Sequence, residues 1–143
     1  GINTQVTYKK FSLGITGHGA IGSYLYNNFN SNNGVLRQIK NPINFIGNAS
    51  ANYQESNFSN NQYLSDYYIE NASFFRLDNI NLGYNWGKIM KGKASLRIAA
   101  SVQNVFIITK YKGLDPENSS DTGVDNNIYP RPRTFSLGFN LDF

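Results

Sequence analysis

The sequence predicts an all-β chain, a run of about five antiparallel strands from the wall of a transmembrane β-barrel, and three observations carry that prediction. Segments with apolar side chains at every second position recur along the chain. The connections between them alternate between short and long. The composition is rich in strand and turn formers, with ten Tyr and ten Phe in 143 residues, yet no run approaches the roughly 18 apolar residues of a membrane helix.

The clearest segment is Arg133 to Phe143, where Phe135, Leu137, Phe139, Leu141 and Phe143 alternate with Thr134, Ser136, Gly138, Asn140 and Asp142. One face is wholly apolar and the other polar or small. Ala94 to Gln103 reads as a second strand, with Leu96, Ile98, Ala100 and Val102 on one face and Arg97 on the other; a mid-strand arginine is costly against lipid and acceptable in a polar lumen. Phe74 to Asn85 is a third, with Ile80, Leu82 and Tyr84 in phase and Phe75 and Leu77 out of phase, which predicts a bulge or a change of environment near Asp78. Phe11 to His18 and Ile2 to Tyr8 complete the set.

Tyr8 and Phe11 are separated by Lys9 and Lys10, residues 19–73 form a long connection, Trp86 to Lys93 is short and 104–132 is long again. Tight periplasmic turns and extended outer loops alternate in this way in membrane barrels. The expected organisation is therefore a C-terminal barrel segment over residues 1–143, carrying one long extracellular loop at 19–73 and a second at 104–132. Tyr8, Tyr84, Trp86 and Phe143 then fall at the periplasmic edge, where an aromatic girdle belongs. The first loop is rich in Asn and Tyr without a helical period, and a compact soluble domain rarely carries a structureless loop of roughly fifty residues. It suits a polar surface that stacks on and hydrogen-bonds to ligands or partners, or a solvated loop whose aromatics pack on their neighbours. Five strands cannot close a barrel, since the smallest bacterial ones use about eight. The chain is thus expected to pair with the remainder of its own barrel or with another barrel chain.

Charge and composition exclude several classes. Thirteen basic and nine acidic residues give a net charge of +4, with the densest basic runs at Lys9–Lys10 and Lys88 to Lys93. No basic stripe of the kind that grips nucleic acid is visible. The absence of cysteine rules out disulfides and thiolate metal sites. No charged n-region with an apolar stretch, as in a signal peptide, opens the sequence. No nucleophile, base and orienting group can be assembled and no phosphate-binding glycine loop follows a strand, so an enzyme is not expected.

Several phrases resemble the C-terminal signature of SusC/RagA-type TonB-dependent transporters. Residues 7–26, from Thr7-Tyr8-Lys9-Lys10-Phe11-Ser12-Leu13 through Gly22 to Tyr24-Leu25-Tyr26, are similar to the family's hairpin and strand, and Asn27 continues the match. Phe75-Arg76-Leu77-Asp78-Asn79-Ile80 with Leu82-Gly83-Tyr84 resembles its next strand. Ser101 to Glu117, including Tyr111, Gly113 and Asp115-Pro116-Glu117, resembles a strand end and loop, and Tyr129-Pro130-Arg131-Pro132-Arg133-Thr134-Phe135 with Phe143 resembles the closing strand. The matches keep family order and cover nearly everything but the variable loop. The resemblance implies a barrel of about 22 strands with a plugged lumen, located in the bacterial outer membrane as a multi-pass protein. It also implies a SusD-like lipoprotein lid, energy from the TonB system through a plug missing here, and import of glycans, oligosaccharides or peptides.

Candidate sites follow. Phe135, Leu137, Phe139, Leu141 and Phe143 look like a C-terminal β-signal, the element read by barrel-assembly machinery through strand addition; Phe143 packing in the girdle is the plainer alternative. The same chain would serve equally as a folding client held by that machinery. Arg76, Asp78, Arg131 and Arg133 are expected near the outer rim, pairing with one another or facing a partner. Asp115, Glu117, Asp121, Asp125 and Asn126 offer oxygen ligands in a loop, but their spacing fits no EF-hand, so solvated charges are favoured over calcium and no metal site is assigned. His18, the sole histidine, reads as structural. Asn48, Asn57, Asn71 and Asn118 open Asn-x-Ser sequons that a bacterial outer-membrane protein would leave unused. A soluble β-sandwich module, with turns every ~8–12 residues, competes less well.

Overall fold

The computed structural model describes residues 1–40, 47–117, 122–126 and 129–143. In chain order its strands are β1 (Ile2–Tyr8), β2 (Phe11–Ala20), β3 (Tyr24–Asn27), β4 (Ile69–Asn71), β5 (Phe74–Ile89), β6 (Ala94–Thr109), β7 (Val124–Asp125) and β8 (Thr134–Asp142). Short helices α1 (Asn28–Asn33), α2 (Leu36–Ile39) and α3 (Asn52–Ser56) lie between β3 and β4. The chain divides into a sheet unit, residues 1–19, 75–108 and 131–143, and a loop unit, residues 20–74 and 109–130.

The sheet unit holds one five-stranded sheet in the order β1-β2-β5-β6-β8, so the five expected strands are neighbours in sequence order. Registers follow from side-chain chemistry. In the antiparallel pair β6–β8, Leu96 faces Leu141, Ile98 faces Phe139, Ala100 faces Leu137 and Val102 faces Phe135, while Arg97 faces Asn140 and Ser101 faces Ser136. In β1–β2, Val6 faces Leu13 and Tyr8 faces Phe11, with Asn3 opposite Thr16 and Gln5 opposite Gly14. A slip by one residue would put every apolar side chain on the polar face.

The change of phase expected near Asp78 is visible in β5. A Cβ on Gly17 would meet the side chains of both Phe75, at 3.3 Å, and Leu77, at 3.5 Å. Further along, Tyr84 rather than an odd-numbered residue stacks on Phe11, with ring centroids 4.7 Å apart. The apolar face therefore passes from odd to even positions between Leu77 and Tyr84. Two strands run well past their expected ends. β5 continues through Trp86 to Ile89, with Gly87 at a left-handed φ of +92° kinking it on the way. The Asn85 side chain accepts a hydrogen bond from the Gly87 amide at 3.0 Å and holds that kink. β6 likewise runs past Asn104, whose φ is +52°, to Thr109.

The loop unit overturns the expectation of a structureless connection. Its three-stranded sheet has the order β4-β3-β7, with β3 antiparallel to β4 and parallel to β7. Leu25, Ala72 and Tyr111 pack together, and Val35 and Tyr68 are also buried. Much of the interior is polar: Asn27 and Ser31 are fully enclosed and Asn30 nearly so. Asn27 caps α1 by accepting from the Asn30 amide at 3.0 Å and donates to Glu70 at 3.2 Å. Ser50 donates to Asn30 at 2.6 Å. Short helices cannot sustain themselves by propagation, and α1 is held by these side-chain hydrogen bonds instead. The rings of Phe58, Tyr67, Tyr68 and Tyr26 form a chain of edge-to-face contacts with centroids 5.1 Å, 5.1 Å and 6.1 Å apart.

Candidate functional site

One face of the five-stranded sheet is polar and hollow. Asn3, Gln5, Thr16, Asn81, Ser101 and Ser136 line a concavity of about 520 Å³. Arg97 is its charged residue among the described lining, and it also borders a second hollow of about 270 Å³ toward Lys9 and Lys10. The guanidinium lies across β5 above Gly83, where a Cβ would stand 3.4 Å from its Nη2 and 2.4 Å from the Ser12 hydroxyl. Amides, hydroxyls and one guanidinium can hydrogen-bond hydroxyl, carbonyl or carboxylate groups, and they supply no nucleophile with a base.

The other face is apolar and uncovered. Phe135 is 72 % exposed, Phe139 64 % and Phe143 89 %. Singly exposed apolar residues are ordinary, but a continuous face of them marks an interface. The proposed girdle residues Tyr84 and Trp86 meet edge to face with centroids 5.9 Å apart, next to Phe11, while Tyr8 sits beneath the Lys9 ammonium at 5.3 Å.

The four residues expected at the rim reach different partners. Arg76 is buried and donates to Oδ1 of Asn104 at 2.7 Å. The Asn104 amide in turn donates to the Arg131 carbonyl at 2.7 Å and the Pro132 carbonyl at 3.3 Å. Arg133 donates to the Asn104 carbonyl at 3.5 Å. Asp78 meets Nδ1 of His18 at 2.7 Å, so the lone histidine has a carboxylate neighbour. Asn104 thus joins three of the four, a role its type did not signal, because the left-handed backbone that aims its side chain is invisible to strand periodicity.

In the loop unit Tyr111 donates to Oδ2 of the enclosed Asp125 at 2.6 Å. Burial first, and then that bond, push the Tyr111 phenol well above the ordinary tyrosine range. The folded unit prefers the neutral phenol, so this contribution is fully present below the unfolded value of about 10 and fades as pH rises above it. Lys112 is raised by its bond to Glu55, with the same sign. We expect proteolytic resistance of the loop unit to hold to about pH 9 and to fall above about pH 10, with Tyr111→Phe blunting the fall; a transition complete by pH 9 would contradict the assignment. Of the loop oxygens, Asp115 is engaged by the Glu117 amide at 2.9 Å and Asp125 by Tyr111. Among the described residues no three potential metal ligands converge; Asp121 and the sequon at Asn118 lie outside the described residues.

A sheet with alternating registers, one exposed apolar face and one hollow polar face is a piece of β-barrel wall. The chain aligns along its whole length with the TonB-dependent receptor SusC of Bacteroides thetaiotaomicron at 41 % identity over 149 residues. It also aligns with the TonB-dependent receptor P3 of Formosa agariphila at 26 % identity over 159 residues. The structure of the RagAB peptide transporter superposes on 96 % of the chain with a TM-score of 0.65 and 25 % sequence identity. No family model matches. The chain is a segment of a SusC/RagA-type TonB-dependent receptor. It spans 15 % of the length of SusC and 16 % of that of P3 and of the RagAB chain. These relatives are receptors and transporters, not enzymes.

Proposed function

We propose that the chain is part of the wall of an outer-membrane transporter that, as a whole, imports glycans, oligosaccharides or peptides. The two-faced sheet carries this reading: its apolar face meets lipid and its polar hollow faces the lumen. The loop unit and residues 104–132 then stand on the extracellular side, beneath a SusD-like lipoprotein, with Arg76, Asp78, Arg131 and Arg133 near that rim. Tyr8, Tyr84 and Trp86 form the periplasmic girdle. β8, exposed throughout and followed directly by Phe143, acts as the β-signal when the barrel is inserted by the assembly machinery. The likeness to RagAB, a peptide transporter, supports peptides within that range.

Cysteine substitution tests this. The segment has no native cysteine, so single variants report cleanly once any cysteine elsewhere in the receptor is replaced. In whole cells or native membranes, Asn3→Cys, Ser101→Cys and Ser136→Cys should react with a small polar maleimide. Val6→Cys, Ile98→Cys and Phe139→Cys should react only after detergent extraction. Equal labelling of both sets would sink the wall assignment.

A further inference from the structure

The sheet unit is far more basic than the loop unit. Of thirteen lysines and arginines nine fall in the sheet unit, against two of the nine acidic residues. Five of those nine, Lys9, Lys10, Lys88, Lys91 and Lys93, lie in or beside the two tight turns, and all five are exposed. Asp142, paired in register with Ser95, is the acidic side chain at that end among the described residues, since Asp78 is engaged by His18. The lysines border an aromatic cluster. Lys10 donates from Nζ to the Trp86 carbonyl at 3.2 Å, and Lys9 lies over Tyr8. They also occupy two depths. The Asn85 amide bonds the Lys10 carbonyl at 2.8 Å, and Lys88 follows three strand residues later, roughly 10 Å further along.

We infer that this turn end is a docking surface for anionic glycerophospholipid headgroups of the adjacent leaflet. The inference rests on the membrane-wall reading above. Rings sit where hydrocarbon gives way to headgroups, and lysine stems reach past them to place ammonium groups among phosphates. Lys9 and Lys10 border the second hollow, but the five lysines are spread over two turns and two depths and do not converge on it. A single small anion would meet only one or two of them, whereas a surface of many mobile phosphates meets all five. Five cations against one carboxylate supply the complementarity.

The test uses the intact receptor containing this segment, reconstituted into vesicles of phosphatidylethanolamine and phosphatidylcholine with spin-labelled phosphatidylglycerol or phosphatidylcholine as probe. Wild type should enrich phosphatidylglycerol several-fold over phosphatidylcholine in its motionally restricted lipid shell. The variant with all five lysines changed to Gln should fall to parity, and the corresponding Arg variant should keep the enrichment. Parity in wild type, or enrichment unchanged by the Gln substitutions, overturns the inference. Selectivity for lipid A phosphates without selectivity for phosphatidylglycerol also overturns it, because the occupant is then wrong. If wild type inserts as a heat-modifiable barrel but shows no selectivity, only the lysine surface fails. If it does not insert into either vesicle, the wall reading fails with it.

Discussion

Phe139→Arg is expected to deplete the assembled receptor from the outer membrane, while Ser136→Arg, on the same strand, leaves it near wild-type abundance. Phe139 projects from the apolar face opposite Ile98, and Ser136 from the polar face opposite Ser101. A guanidinium near the bilayer midplane costs about 2–4 kcal/mol, and one in a watery lumen costs little. Against a marginal stability of roughly 5–15 kcal/mol that loss is large. Urea unfolding in lipid vesicles, followed by the heat-modifiable shift on gels, would give the difference directly. Equal losses from both variants would mean that the two faces do not see different solvents.

Gly113→Ala should open the loop unit, although it adds only one methyl group. A Cβ there would stand 2.3 Å from Cε1 of Tyr111 and 2.6 Å from its hydroxyl. The ring cannot simply swing aside, because it is buried and its hydroxyl is bonded to the enclosed Asp125. Overpacking costs about 1–3 kcal/mol, and giving up the bond to a buried carboxylate adds about 1–3 kcal/mol. Limited proteolysis across a denaturant series should show the loop unit opening early. The double variant Tyr111→Ala with Gly113→Ala would relieve the clash while still losing the bond, and should recover only partly. A neutral Gly113→Ala would mean the ring does not lie over that glycine.

The faces of the sheet were readable in the sequence because lipid and lumen impose a period of two on every strand. Even the phase break near Asp78 could be read, since Phe75 and Leu77 are out of step with Ile80, Leu82 and Tyr84. Strand ends were harder. Gly87 and Asn104 look like terminators, yet each takes a left-handed backbone and the strand continues through it. The loop unit was opaque for a different reason. Its interior depends on Asn27, Asn30, Ser31 and the Tyr111–Asp125 pair, polar groups whose burial is decided by specific hydrogen bonds and leaves no hydrophobic rhythm. One local sign was available: Asn27 three residues before Asn30 is a helix N-cap arrangement.

The parallel pairing of β3 with β7 also fixes an order of events. The loop unit is assembled from two separate stretches, and the bond between Asn28 and Asn126 joins residues 98 positions apart. Its three-stranded sheet therefore cannot be completed until the intervening hairpin of β5 and β6 has been synthesised and delivered. Closing so large a loop is slow relative to local pairing. Completion of the loop unit thus waits on a long loop closure, and without β7 the central strand β3 would have one edge bare.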